Sequence, residues 1–478
     1  MDAIVNTLNN LIWSKALIAL CLGAGLYFSI RTRFMQVRGF GEMLRLMRHN
    51  AASESGVSSF QALAMSLSGR VGIGNIAGVA TAIAYGGPGA VFWMWMVAFL
   101  GASTSYIECT LAQIYKEKDA EGQYRGGPAY YIEKAMGQRW YALLFAVATV
   151  IACGLLLPGV QANGIANSLH TAWGIAPNVS AAGVAVALGF IIFGGVRRIA
   201  SFAELVVPFM ALAYILVALV IMFLNAEKVP GVIALIFNSA FGAEAAFGAV
   251  LGLAVEWGVK RGIYSNEAGQ GTGPHSAAAA EVSHPAQQGY VQAFSIYVDT
   301  LLVCTATAFI ILSTGMYNVI APAGGMIVSA LPGIAPGPGF AQAAVESSLP
   351  GYGAGFVAMA ILFFAFTTIV AYYYMAETNL VYLSRQVRRP WMVMLLRLAI
   401  IGAVVYGTVR SADTAWAMGD IGVGLMAWLN IVAILILQKP ALLALRDYEA
   451  QKNAGKEPAF DPDTLGIRNA AFWQRKSP

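Results

Sequence analysis

Residues 60–85 form an apolar run long enough to cross a bilayer, yet Gly69, Gly72, Gly74, Gly78 and Asn75 interrupt it. Lipid offers no partner to the backbone N–H and C=O groups that a broken helix releases, so such a break survives only inside protein or along a cavity. The stretch constrains the fold twice. The chain crosses a membrane, and other helices enclose this one.

Composition agrees with an all-α polytopic membrane protein. Of 478 residues, 58% are hydrophobic and 11% charged, against about 25% charged in a soluble domain. Apolar runs at 11–30, 60–85, 89–114, 140–168, 178–195, 203–224, 232–256, 290–315, 352–378, 392–410 and 419–438 give about eleven transmembrane helices. The first lacks the basic leader and cleavage site of a signal peptide and reads as a retained helix. Basic residues cluster in every second connection: Arg31, Arg33, Arg38, Arg45 and Arg48, then Lys116, Lys118, Arg125, Lys134 and Arg139, then Arg197 and Arg198, Lys260 and Arg261, Arg385, Arg388 and Arg389, and the tail. The intervening connections are nearly bare. The positive-inside rule then puts the N-terminus outside and the C-terminus in the cytoplasm of a plasma membrane, the inner one in bacteria.

Several classes drop out. The net charge of +5 is not gathered into a basic face interleaved with aromatics, so nucleic acid is not a partner. Cys21, Cys109, Cys153 and Cys304 lie in apolar spans without a CxxC pair and read as buried inert thiols; the four histidines form no metal motif. GIGN at 72–75 is a fragment of a dinucleotide fingerprint, but no strand precedes it. Ser265 has no evident histidine–acid pair, although His275 and His284 follow closely. The expectation is not an enzyme, with no cofactor and no obligate protein partner.

Setting the first span aside as peripheral leaves ten, divisible five and five. The first span of each half carries a polar, glycine-bearing interruption, at 69–78 and at 238–248 (NSAFGAEAAFG). Paired discontinuous helices at matching positions of an inverted repeat are the sequence mark of a transporter site. The expected organisation is 1–58, a peripheral helix and basic loop; 59–225 and 230–440, the two five-helix repeats; and 441–478, a cytoplasmic tail. Residues 257–285 read as a re-entrant or interfacial element on the inside. Residues 316–351 read as a long external segment that covers the entrance.

The breaks suit a zwitterion, which needs donors for its carboxylate and acceptors for its ammonium once buried. N–H groups of Ile73, Gly74 and Asn75 suit the carboxylate, and carbonyls near 239–241 suit the ammonium. Phe241 and Phe247 wall a small pocket or simply pack. Glycines 74 and 78 also fit plain helix packing. Thr367 and Thr368 either bond back to their own helix or, beside carbonyls, make a hard-oxygen cage for Na⁺. Gln161 and Asn163 bridge helices or line the pocket. Arg70, Glu108, Glu204, Glu244 and Asp299 are ionisable groups within spans and functional candidates for that reason. Asp299 is a candidate second cation or proton site, and Arg70 a partner for an acid at an inner gate.

These blocks resemble the alanine/glycine:cation symporters, or sodium:alanine symporters. GGPGAVFWMWMVAFLG at 86–101 is similar to the family's signature. VGIGNIAGVA, YRGGPAYYIEKAMG at 124–137, GVKRGIYSNEAGQGTGP at 258–274 and FFAFTT are similar to its other blocks, in order. The resemblance implies a leucine-transporter-like fold and Na⁺-driven import of small neutral amino acids, chiefly alanine and glycine, by alternating access. It also implies a sodium site from the carbonyls of Ser68, Val71 and Phe364 and the hydroxyls of Thr367 and Thr368. Substrate contacts would fall on Gly72, Gly74, Asn75, Gln161, Thr368 and Tyr372, with tyrosine at 372 where some members carry tryptophan. The rival expectation is a proton-coupled amino acid carrier that uses Asp299 or Glu244.

Overall fold

The computed structural model describes residues 2–48, 56–242, 245–385 and 390–474. Among them, eight helices are long and apolar enough to cross a membrane, or nine when one bent pair counts as a span. Pro177–Ile192 is a shorter apolar helix. The only strands among the described residues are two short antiparallel pairs, 117–118 with 124–125 and 318–320 with 326–329. On Gly195–Leu224 the side chains of Leu205, Phe209, Leu212, Leu216 and Phe223 are all more than half exposed. A stripe of that size and apolarity faces lipid rather than water.

The bent pair is the stretch that opened the sequence reading. Ser59–Arg70 starts at a capping box, in which Ser58 accepts from the Gln61 N–H and Gln61 accepts from the Ser58 N–H. It stops at Val71, whose ψ of 85° leaves the helical region. A π-helical turn, Gly74–Gly78, then leads into Val79–Gly86, and the two halves meet at 51°. Gly72 is required here. A Cβ on it would stand 2.5 Å from Thr368 Oγ1 and 3.0 Å from Gln161 Oε1.

A second break lies elsewhere than expected. The apolar run 232–256 is two pieces: Val229–Ala240 ends at Gly242 (φ 73°), and Leu251–Asn266 follows a short 3₁₀ stretch. On this junction Phe241 is 62% exposed and packs on Phe92, while Phe247 and Val250 are buried. The break that enters the core is 267–272. Leu251–Asn266 stops at Glu267, held left-handed at φ 57°, and Gly269 and Gly271 also have positive φ before Gly273–Ala279 begins. Residues 257–285 are therefore a broken helix packed in the bundle, not an element on its inner surface. Lys260 and Arg261 are likewise buried within a helix. Both pair with Asp420 at 2.9 Å, under the rings of Trp257 and Trp416, and Trp13 donates to the Asp420 carbonyl. They do not belong with the loop charges.

Pro338–Ser348, in the long segment 316–351, packs against Gly74–Gly78 and Val79–Gly86. At the opposite end, Ala412–Asn453 runs on beyond its apolar part, and 454–474 folds back over the bundle. The Phe460 N–H donates to the Ser283 carbonyl, the Trp473 indole to the Gln113 carbonyl, and Phe460, Ile467 and Ala470 are buried.

Candidate functional site

The two breaks face each other. A Cβ on Gly74 would meet Tyr264 Cδ1 at 3.2 Å and Ser265 Cα at 3.3 Å, so glycine favours this close approach. The backbone opened at 71–75 is held by side chains. Asn75 Oδ1 accepts from the Gly72 N–H at 2.8 Å, and Gln161 Oε1 accepts from the Ile73 N–H at 3.0 Å. The Asn75 N–H reaches the Gly72 carbonyl at 3.2 Å. The sequence reading left the Ile73 and Asn75 N–H groups free for a carboxylate; in this conformation the protein itself satisfies them.

On the other side of the break stands Gly353–Ser384. Thr368 Oγ1 donates to the carbonyls of Ser68 at 2.9 Å and Phe364 at 2.9 Å and lies 3.5 Å from that of Val71. Thr367 Oγ1 donates to the same Phe364 carbonyl at 2.9 Å and lies 3.8 Å from Met210 Sδ. Three carbonyls from two helices thus gather around the Thr368 hydroxyl, and the Thr367 hydroxyl shares one of them. Tyr372, one turn further on, is buried beside Glu267.

Asp299 lies in a π-helical stretch, Tyr297–Cys304, of the kind that often marks a functional position. Its carboxylate accepts from Asn75 Nδ2 at 2.7 Å, from Ser265 Oγ at 2.9 and 3.1 Å, and from Thr300 Oγ1 at 2.7 Å. It ties the first break to the second. Cys304 Sγ is 3.2 Å from Ser265 Oγ and 3.4 Å from Asn75 Nδ2, so this thiol belongs to the polar cluster rather than to an inert apolar span. Glu108 braces the second break, accepting from the Gly269 N–H at 3.2 Å and Asn430 Nδ2 at 2.6 Å.

Other candidates fall outside the cluster. Phe241 is a surface residue, more than half exposed. Asn163 donates to the carbonyls of Gly407 and Arg410, the interhelical role. Glu204 accepts from Gln61 Nε2 at 3.0 Å. Arg70 is fully buried but pairs with no acid within 4 Å among the described residues; it donates to Gln292, Ser295 and Ser105. Glu244 lies outside the described residues. Ser265, Glu267, Thr272, Thr300 and Cys304 were not among the candidates. The run SNEAGQGTG was the signal for the first three, masked by the neighbouring Lys260 and Arg261. Ser265 bonds an aspartate, while His275 contacts Thr272 and Asn379 and His284 contacts Asp447.

Opened helices that enclose backbone carbonyls, hydroxyls and a carboxylate at mid-bundle define a membrane carrier. The sequence model of the sodium:alanine symporter family matches residues 1–462, and the chain belongs to that family. It is 60% identical to the carrier protein YrbD of Bacillus subtilis strain 168, over 100% of this chain and 98% of that one. It is 55% identical to the sodium/proton-dependent alanine carrier protein of Bacillus sp. strain PS3, over 90% and 97%. Among solved structures, a Na⁺-coupled sialic acid symporter in a substrate-bound outward-open state shares the fold, with a TM-score of 0.50, 13% identity and coverage of 97% and 96%.

Proposed function

We propose that the chain imports alanine, and with it glycine, together with Na⁺ by alternating access. The observation that carries this reading is the meeting of the Ser68, Val71 and Phe364 carbonyls with the Thr368 hydroxyl beside the opened backbone at 72–75. In the proposed site Na⁺ binds among those oxygens and the Thr367 hydroxyl. The amino acid binds between the breaks, its carboxylate taking the place of Gln161 Oε1 at the Ile73 N–H. Gly72 and Gly74 leave room for a small side chain, and Tyr372 closes one wall. Relatives named for sodium, protons and alanine support the reading.

The two breaks begin two five-helix repeats of opposite orientation, 59–225 and 230–440, behind the helix of 1–58. The N-terminus is outside, and the tail from 441 is cytoplasmic. Basic residues of the loops support that orientation without Lys260 and Arg261. Na⁺ drives import because it binds one of two conformations more tightly and so shifts their balance. The membrane potential adds about 2.3 kcal/mol per charge per 100 mV. The test is uptake of labelled alanine into proteoliposomes under an imposed Na⁺ gradient. Uptake that follows the gradient supports the reading; uptake indifferent to Na⁺ refutes it.

A further inference from the structure

The charges buried against the two breaks do not balance. Apart from the Lys260–Asp420–Arg261 group, they are one arginine, Arg70, and three carboxylates, Glu108, Glu267 and Asp299, each at most 1% exposed. Burial of an ionised carboxylate is costly unless donors or a cation compensate it. The three differ in how far they are compensated. Asp299 accepts from three side chains, and Glu108 from a backbone N–H and an amide. Glu267 accepts on Oε2 from Thr272 Oγ1 at 2.8 Å, while its Oε1 has no hydrogen-bond partner. No basic nitrogen lies within 4 Å of it among the described residues.

Its position is as telling as its bonding. Glu267 is the hinge residue of the second break, in a left-handed conformation that a non-glycine side chain rarely adopts. A Cβ on Gly69, in the first broken helix, would stand 3.5 Å from its Oε2. The titratable groups that face it are Arg70 from Ser59–Arg70, Asp299 from Tyr297–Cys304, Tyr372 from Gly353–Ser384, Cys153 from Ala152–Leu156 and Tyr264 from its own helix. The carboxylate thus touches the parts that any opening of the site must move.

We propose that Glu267 Oε1 is a proton-binding site of the transport cycle, loaded from one side of the membrane and emptied to the other. The inference rests on the carrier function proposed above and assigns a residue to the proton that the names of two relatives carry. A proton needs one lone pair, whereas a hard metal cation needs a cage of oxygens, and only the Thr272 and Tyr372 hydroxyls accompany this carboxylate. Protonation converts Glu267 to a neutral donor and removes one of the uncompensated negative charges. Its O–H bond forms with a proton from the open side and breaks when the site opens opposite.

The experiment uses the full chain in proteoliposomes loaded with a pH-sensitive dye, under an inward Na⁺ gradient, with labelled alanine added outside. The wild type should acidify the lumen as alanine enters, and its uptake should depend on pH. Glu267→Gln should take up alanine with no lumen acidification and a flat pH profile. Thr272→Val, which removes a donor to the ionised form, should move the midpoint of the profile up by about one pH unit. Na⁺-driven uptake in the wild type without proton entry overturns the proposal and leaves the carrier function standing. Unchanged proton entry in Glu267→Gln, or an unmoved midpoint in Thr272→Val, also overturns it. Absence of wild-type alanine uptake would overturn both readings at once.

Discussion

Asn75 does three things that one alanine would undo. It caps the Gly72 N–H, anchors to the Asp299 carboxylate, and lies against Cys304. Asn75→Ala therefore leaves a buried N–H and part of a carboxylate without partners, a loss of about 1–3 kcal/mol for each group. Alanine uptake in proteoliposomes should fall at least about a hundredfold, while the variant still inserts and elutes as a monodisperse peak. The two threonines separate likewise. Thr368 reaches carbonyls on both helices, whereas the one carbonyl Thr367 reaches is in its own. Thr368→Val should raise the Na⁺ concentration for half-maximal uptake roughly tenfold, and Thr367→Val by clearly less. Equal effects would contradict this geometry. Residue chemistry was legible in the sequence where local spacing dictated it, as at Gly72, Asn75 and Thr368. It was not legible for Phe241, because an aromatic in an apolar run reads the same whether it faces the core or the lipid.

At the scale of the element, the first break was legible because glycines and an asparagine interrupt an otherwise unbroken apolar run. The second was not, for a physical reason. Lys260 and Arg261 look like loop charges until Asp420, about 160 residues away, neutralises them under tryptophan rings. A buried ion pair of this kind depends on both partners, since loss of one strands the other charge at a cost of about 3–5 kcal/mol. Asp420→Asn should therefore lower thermal stability in detergent far more than Glu42→Gln. Glu42, on Phe40–Arg48, binds Arg45, Lys452 and Tyr448 at the partly exposed end of the bundle. Burial there works against ionisation, but these hydrogen bonds prevail and hold its carboxyl down from 4.5 to about 2. With a folded pKa below the unfolded one, its contribution is present above about pH 4.5 and is lost as pH falls toward 2. Solvent exposure limits it to about 1 kcal/mol. An acid melt should register that loss in the wild type and not in Glu42→Gln.

Across the whole molecule, the two broken helices are joined outside the site as well as within it. Val57, just before the first broken helix, pairs in parallel with the strand-like residues after the second: its N–H donates to the Ala279 carbonyl, and its carbonyl accepts from the Glu281 N–H, both at 3.0 Å. The folded-back segment 454–474 holds the adjoining Ser283, and Phe472 and Trp473 stack over Lys116, which donates to the Ala280 carbonyl at 2.7 Å. Truncation after residue 456 should speed hydrogen exchange at 57–60 and 279–284 and leave 360–375 protected. Two backbone bonds at Val57 make a yoke: in the proposed cycle, neither broken helix swings without pulling the other. Proline at that position, which cannot donate, would let each leaf flap alone. Ions would then slip through without their passenger.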